Sequence, residues 1–273
     1  MPHYEGGLRT RGVFKGSSTS CPLVSVITPV FNGGIHLGET IQSVLSQSYR
    51  NIEYIIIDGG STDGTLDIIN KYDDKIDYWV SEPDKGIYDA MNKGIRLAEG
   101  ELVGIINSDD YYLDGAIEKI VAAAVKEPEV GVFHADMRFE RAKGRIEIWH
   151  SKDTLGKSDV YRMPVNHPTV FVRSACYKTC GLFNTKYRVA ADYDLIIRYL
   201  FDYNIRFRHV NEILVCMREG GESGRYTWDM QNDVIEILSK RNFPLTIILK
   251  FRLSYLRLMF MQYLHSIRRR KDG

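Results

Sequence analysis

Four runs of β-forming residues, each closing on carboxylates or turn residues, constrain this chain more than any other feature. LVSVITPVF covers 23–31, EYIIID 53–58, DYWVSE 77–82 and ELVGIINSDD 101–110. Near-continuous apolar runs of this length are the pattern of strands buried on both faces of a parallel sheet. Segments with helical spacing separate them. Ile35, Ile41, Val44 and Leu45 mark 35–48, a short helix opens after the glycine loop at 64–71, and Gly100 stops IYDAMNKGIRLAEG at 87–100. Strand and helix alternating at this spacing predict a doubly wound, mostly parallel α/β sheet with right-handed crossovers. Such sheets take ligands outside the carboxyl ends of their strands. The unusual residues cluster at those ends: 28–32, 58–63, 82–86 and 107–110.

The remainder is less regular. Helices are expected at 113–125 and 190–202, and strands near 130–135, 145–149, 169–172 and 206–216. The reading is one large domain with a regular half at 22–110 and an irregular half at 111–225. A polar, Gly- and Ser-rich arm precedes it at 1–21, expected to be mobile and without the apolar core of a signal peptide. A helical extension follows at 226–273. The formal net charge of +1 argues against a nucleic-acid partner. Cys21, Cys176, Cys180 and Cys216 form no CxxC pair and read as reduced thiols, which implies a cytoplasmic setting.

Each candidate residue has a bland reading beside a chemical one. Asp58 ends a strand and opens GGSTDGT; it is either a turn cap or a ligand for ribose or base. The glycines allow positive φ and close approach of backbone to a ligand. Asp109 and Asp110 repel each other at a strand end, which suits either a solvated helix cap or a hard divalent cation completed by substrate phosphates. GGSTDGT is not GxGxxG and no P-loop GKS or GKT occurs, so dinucleotide and P-loop chemistry are poorly supported. Asp192 and Asp194 point in different directions on one helix, so one can be a general base while the other is solvated or caps the helix. His167 before Pro168 is a turn residue or lies near donor or acceptor. Gly220, Gly221, Ser223 and Arg225 form a cationic loop that either closes over a diphosphate or only links two segments.

Together the motifs resemble the family-2 glycosyltransferases of the GT-A fold, of the kind that build bacterial polysaccharide and cell-envelope glycans. The matching pieces are TPVFN (28–32), IIDGGSTDGT (56–65), SEPDKGIYDAMNKGI (81–95), NSDD (107–110), HPTVF (167–171) and AADYDL (190–195). Their order and spacing match over about 22–220. The resemblance implies inverting transfer of a sugar from a nucleotide donor, UDP by default, to a hydroxyl of a glycan or polyprenyl-linked acceptor. It implies that Thr28, Phe31, Asn32, Asp58, Lys85, Asn92 and Asp109 meet the nucleotide. Asp110 would bind Mg2+ or Mn2+, and Asp192 would be the catalytic base. Two departures stand out: Asn107 begins the acidic motif where Asp is frequent, and Ala191 precedes the base where Glu is frequent. A sugar nucleotidyltransferase is the first rival, but its Gly- and Arg-rich N-terminal phosphate loop is missing. A non-catalytic sugar-nucleotide or glycan-binding module is the second.

PLTIILKFRLSYLRLMFMQYLHSI (244–267) runs into RRRK. Lys250, Ser254, Arg257, His265 and Arg268 make one narrow polar stripe on a broadly apolar helix. Charges at 250, 252 and 257 argue against a spanning helix. The alternatives are packing on the catalytic domain, a homodimer contact, or an in-plane helix on the inner face of the plasma membrane, its basic tail on anionic lipid.

Overall fold

The computed structural model describes residues 3–141, 144–220 and 227–271, with side chains described through Met261. The regular half forms as expected. Strands β2 (Val24–Val30), β3 (Ile52–Asp58), β4 (Tyr78–Ser81) and β5 (Leu102–Ile105) lie parallel in the order β4-β3-β2-β5. Every residue of β2 and β3 is buried, because helices cover both faces. Helices α1 (Leu37–Leu45), α2 (Thr65–Lys71) and α3 (Ile87–Leu97) make the crossovers. Gly94 lets α3 sit close: a Cβ there would come within 2.4 Å of Ile27 Cγ2. Ile35, expected on the buried face of α1, lies outside the helix and is exposed.

The N-terminal residues overturn the expectation of a mobile arm. Tyr4–Gly6 is a strand, β1, pairing antiparallel with β4 at the sheet edge. A 3-10 turn at Leu8–Arg11 follows, and Arg9 pairs with Glu53, a carboxylate buried in β3. A buried carboxylate needs such a partner. Ser25 Oγ also donates to it, at 2.5 Å.

The second half extends the sheet with mixed pairing. It contains β6 (Tyr111–Tyr112), β7 (Val132–Glu140), β8 (Ile146–Trp149), β9 (Phe171–Arg173) and β10 (Phe207–Arg218). The full order is β1-β4-β3-β2-β5-β9-β7-β10-β6, with β8 beside β7. β9 runs antiparallel between β5 and β7, so β7 points the same way as β5, and β10 lies parallel to β7. The carboxyl ends of β2, β3, β5, β7 and β10 therefore share one edge. Helix α4 (Ala116–Lys126) covers one face of the sheet; α5 (Ser174–Cys180) and α6 (Ala191–Ile197) cover the other. The long helix expected at 190–202 widens into a π turn at Arg198–Asp202. Helices α7 (Trp228–Lys240) and α8 (Leu245–Lys271) complete the chain.

Candidate active site

The strand ends of the regular half are tied by their own side chains. Asp58 is fully buried. Its Oδ2 accepts from the Ser81 hydroxyl at 2.6 Å and from the amides of Gly60 and Ser61 at 3.2 and 3.1 Å. Its Oδ1 accepts from the Ser61 hydroxyl. The carboxylate caps its own loop, with both oxygens bonded internally. Gly60, at φ 83, makes the turn. This loop is stitched to the end of β2: Ser61 Oγ accepts from Asn32 N at 2.7 Å, and Asn32 Oδ1 accepts from Thr62 N at 2.9 Å. Asp63 accepts from Gly34 N at 3.0 Å and from the Thr65 hydroxyl at 2.5 Å, and the two bonds, Thr65 first, hold its carboxyl below the usual range.

Two further expected nucleotide contacts are also internal. Thr28 is fully buried, its hydroxyl 3.0 Å from that of Tyr54. Asn92 is buried with both ends of its amide on Phe183: Nδ2 donates to its carbonyl at 2.9 Å and Oδ1 accepts from its amide at 3.0 Å. Asn92 thus clamps the two halves of the domain. Phe31, Asn32 and Lys85 stand exposed at the rim, with Asn32 in the left-handed region at φ 51. Asp84 was missed. Its Oδ2 lies 2.6 Å from where a Gly59 Cβ would be, beside the Phe31 ring, and burial raises its pKa. A side chain at 59 would crowd the carboxylate where it now stands.

The acidic motif divides in two. Asp110 is buried; its Oδ1 accepts from Arg218 N at 3.0 Å, and its Oδ2 has no hydrogen-bond partner among the described residues. Burial first, and Asp109 second, push its pKa up to about 8. Asn107 Oδ1 is likewise buried and unpartnered. Asp109 remains half-exposed. The Arg218 guanidinium donates to the Asp109 carbonyl at 2.8 Å and to Glu39 at 2.5 Å, and covers the Tyr111 ring at 4.6 Å. Oxygen donors of this kind suit a hard cation, and among the described residues one oxygen each of Asp110 and Asn107 has no hydrogen-bond partner. Among the described residues no three His, Cys, Asp or Glu side chains are arranged to hold a metal alone. A cation here would draw further ligands from a bound diphosphate.

The opposite wall carries Asp192, at the start of α6. Its Oδ1 accepts from Tyr193 N at 2.8 Å and lies 3.1 Å from the Tyr88 hydroxyl. Tyr88, stacked on Phe183 at 5.5 Å, comes from α3, so both halves of the domain fix the carboxylate. Asp192 keeps partial exposure. His167 packs edge-on to Phe183 at 6.1 Å; burial lowers its pKa, while the Asp192 charge opposes that. Asp194, expected to be solvated or a helix cap, is buried and paired with Arg241 at 3.1 Å. Arg225 lies outside the described residues.

The sequence singles out Asp192 and the acidic motif as candidates, but not Tyr88, Arg218 or Asp84, which the structure sets beside them or at the rim. Tyr88 and Asp84 stand inside the quoted motif SEPDKGIYDAMNKGI. Arg218 carries no local signal, since 108 positions separate it from Asp110. A recess of about 380 Å3 lined by Ser17, Thr19, Glu101 and Arg173 sits at the amino ends of the strands, away from all of these groups.

With this geometry in place, comparison with known proteins defines the class. The family model described as glycosyl transferase family 2 matches residues 25–180. The chain belongs to that family. An uncharacterized glycosyltransferase of Rickettsia typhi is 32% identical over 213 residues, 74% of this chain and 65% of that protein. Among solved structures, residues 1–349 of S. aureus TarS in complex with UDP-GlcNAc superpose with a TM-score of 0.64 at 24% identity, covering 88% of this chain and 73% of that one. The mannosyltransferase PcManGT of Pyrobaculum calidifontis, in complex with GDP-Man and Mn2+, gives 0.61 at 18% identity, covering 88% and 71%. The fold is GT-A.

Proposed function

We propose that this chain transfers a sugar from a nucleoside-diphosphate donor, a UDP-sugar, to a hydroxyl of a glycan or polyprenyl-linked acceptor, with inversion at the anomeric carbon. One observation carries the reading. Asp192 is the crevice carboxylate that is oriented from both halves of the domain and still partly open, whereas Asp58 and Asp194 are consumed by internal bonds. Support for the donor class comes from family membership and from the nucleotide sugars named for the fold neighbours.

Asp192 accepts the proton of the acceptor hydroxyl as that oxygen attacks the sugar carbon from the face opposite the nucleotide. The Tyr88 hydroxyl and the Tyr193 amide hold the carboxylate in place. Phe31 offers a ring for the base, while Asn32, Lys85 and Asp109 offer polar contacts at the same rim. Asp110, with Asn107 beside it, would hold a divalent cation, Mg2+ or Mn2+, which would offset charge gathering on the leaving diphosphate. His167 stands near enough to Asp192 to shape acceptor or donor placement.

The test is calorimetric titration with UDP, GDP, dTDP and CMP, each with Mn2+ or EDTA, followed by proton NMR of the product formed from the matching α-linked donor. The expected result is metal-dependent binding of UDP and a β-configured product. A retained α-configuration would remove the inverting mechanism, and binding to none of the four would remove the donor site.

A further inference from the structure

Among the described residues, helix α8 leaves one face of the molecule without a partner. Phe251 and Tyr255 are buried, and Ile247, Ile248 and Met259 pack partly against the same core. The Tyr255 hydroxyl donates to the Thr227 carbonyl at 2.8 Å, fixing α8 beside the start of α7. Those contacts account for one side of the helix. On another side Leu245, Leu249, Leu253, Leu256 and Phe260 follow at steps of four, four, three and four residues, which aligns them in a stripe. All five are exposed, from 40% for Leu256 to 69% for Leu253. A continuous exposed apolar stripe marks a binding surface more often than chance decoration.

Charge selects the occupant. At 100° per residue Arg252 flanks the stripe on one side and Arg257 on the other, and both are exposed. Between 245 and 271 the chain carries Lys250, Arg252, Arg257, Arg268, Arg269, Arg270 and Lys271, and no Asp or Glu. Two copies of such a helix pairing through their stripes would bring like charges together with nothing of opposite sign on either. An anionic lipid surface meets both features at once, taking the leucines below the headgroups and the cations among them. Among the described residues no helix is long and apolar enough to cross a membrane, so the helix would lie in the plane of the bilayer.

We propose that the Leu245–Leu249–Leu253–Leu256–Phe260 face of α8, with Arg252 and Arg257 at its edges, is a docking surface for an anionic membrane. The test is co-sedimentation of the full chain with vesicles of phosphatidylcholine alone, and of two parts phosphatidylcholine to one part phosphatidylglycerol. Wild type sediments with the mixed vesicles, less with the neutral ones, and less again in high salt. The triple variant Leu249→Glu, Leu253→Glu, Leu256→Glu stays in the supernatant. Arg252→Gln with Arg257→Gln lowers partitioning to the mixed vesicles roughly thirtyfold, from about fivefold for each cation. All five side chains are exposed, so thermal unfolding of both variants should match wild type. Equal sedimentation of wild type and the triple variant overturns the proposal. So does wild type remaining in the supernatant, and so does a dimer in analytical ultracentrifugation that the leucine variant dissolves without any vesicle binding. Sedimentation needs neither donor nor acceptor, so its failure leaves the catalytic reading standing.

Discussion

The loop at Asp58 and the helix start at Asp192 face the same crevice and treat their carboxylates in opposite ways. Asp58 is fully buried, with both oxygens bonded to Ser61, Ser81 and the loop amides. Asp192 is braced through one oxygen by Tyr193 and Tyr88 and remains partly open. One acid shapes a backbone loop; the other stays accessible, as the proposed base requires. A carboxylate at a strand end is therefore no evidence of ligand contact until its hydrogen bonds have been counted.

The contrast breaks first at Asp192. Asp192→Asn is expected to lower turnover by about 10²–10⁴-fold, the usual weight of a general base, with the melting temperature unchanged. Asp58→Ala should do the reverse in kind. It strips four acceptor contacts from a buried loop and costs about 3 kcal/mol in denaturant unfolding. An activity loss without a stability loss in that variant would return Asp58 to the ligand site.

Much of this was legible in the sequence. The four parallel strands follow from apolar runs that can only be buried on both faces, and the crevice follows from where those runs stop. Asp192 was legible as a candidate because its motif fell at the right place in an ordered series. The allocation of Thr28, Asp58 and Asn92 was not. Each is a polar residue at the crevice edge by its place in the sequence, and each is bonded to a partner that local pattern does not reveal: Tyr54, Ser81 and Phe183. The N-terminal arm was misjudged for a related reason. Its polar composition says nothing of the β4 edge and the buried Glu53 that hold it. Arg218 reaches the acidic motif only through the irregular register of β10 against β7.

Smaller effects sharpen the comparison. Asn92→Ala removes the clamp between the halves and leaves the Phe183 backbone groups unpaired, costing about 2–3 kcal/mol in stability, while UDP affinity at the remaining fold stays unchanged. His134 supplies a pH signature within the second half. It is a buried residue of β7 paired with β10, stacked on His209 at 5.4 Å, with Nε2 unpartnered among the described residues; burial first, then His209, lowers its pKa to about 3. The unfolded chain binds that proton near pH 6.5 and the folded chain does not, so stability is full above this pH and falls as pH drops toward 3. The slope is about 1.4 kcal/mol per pH unit at most, and His134→Gln should flatten it in urea titrations at stepped pH. Tyr88→Phe is the mildest change. Losing one donor to Asp192 should lower kcat about tenfold with KM for the donor little altered; a change in KM alone would assign Tyr88 to binding.

The most direct test of the central claim is a paired measurement on Asp192→Asn: calorimetric affinity for UDP with Mn2+, and turnover of the UDP-sugar on the same preparation. Wild-type affinity with turnover nearly abolished is the expected result. Turnover retained at the wild-type level would show that the proton leaves the acceptor by another route and that the open carboxylate on the acceptor wall is not the base.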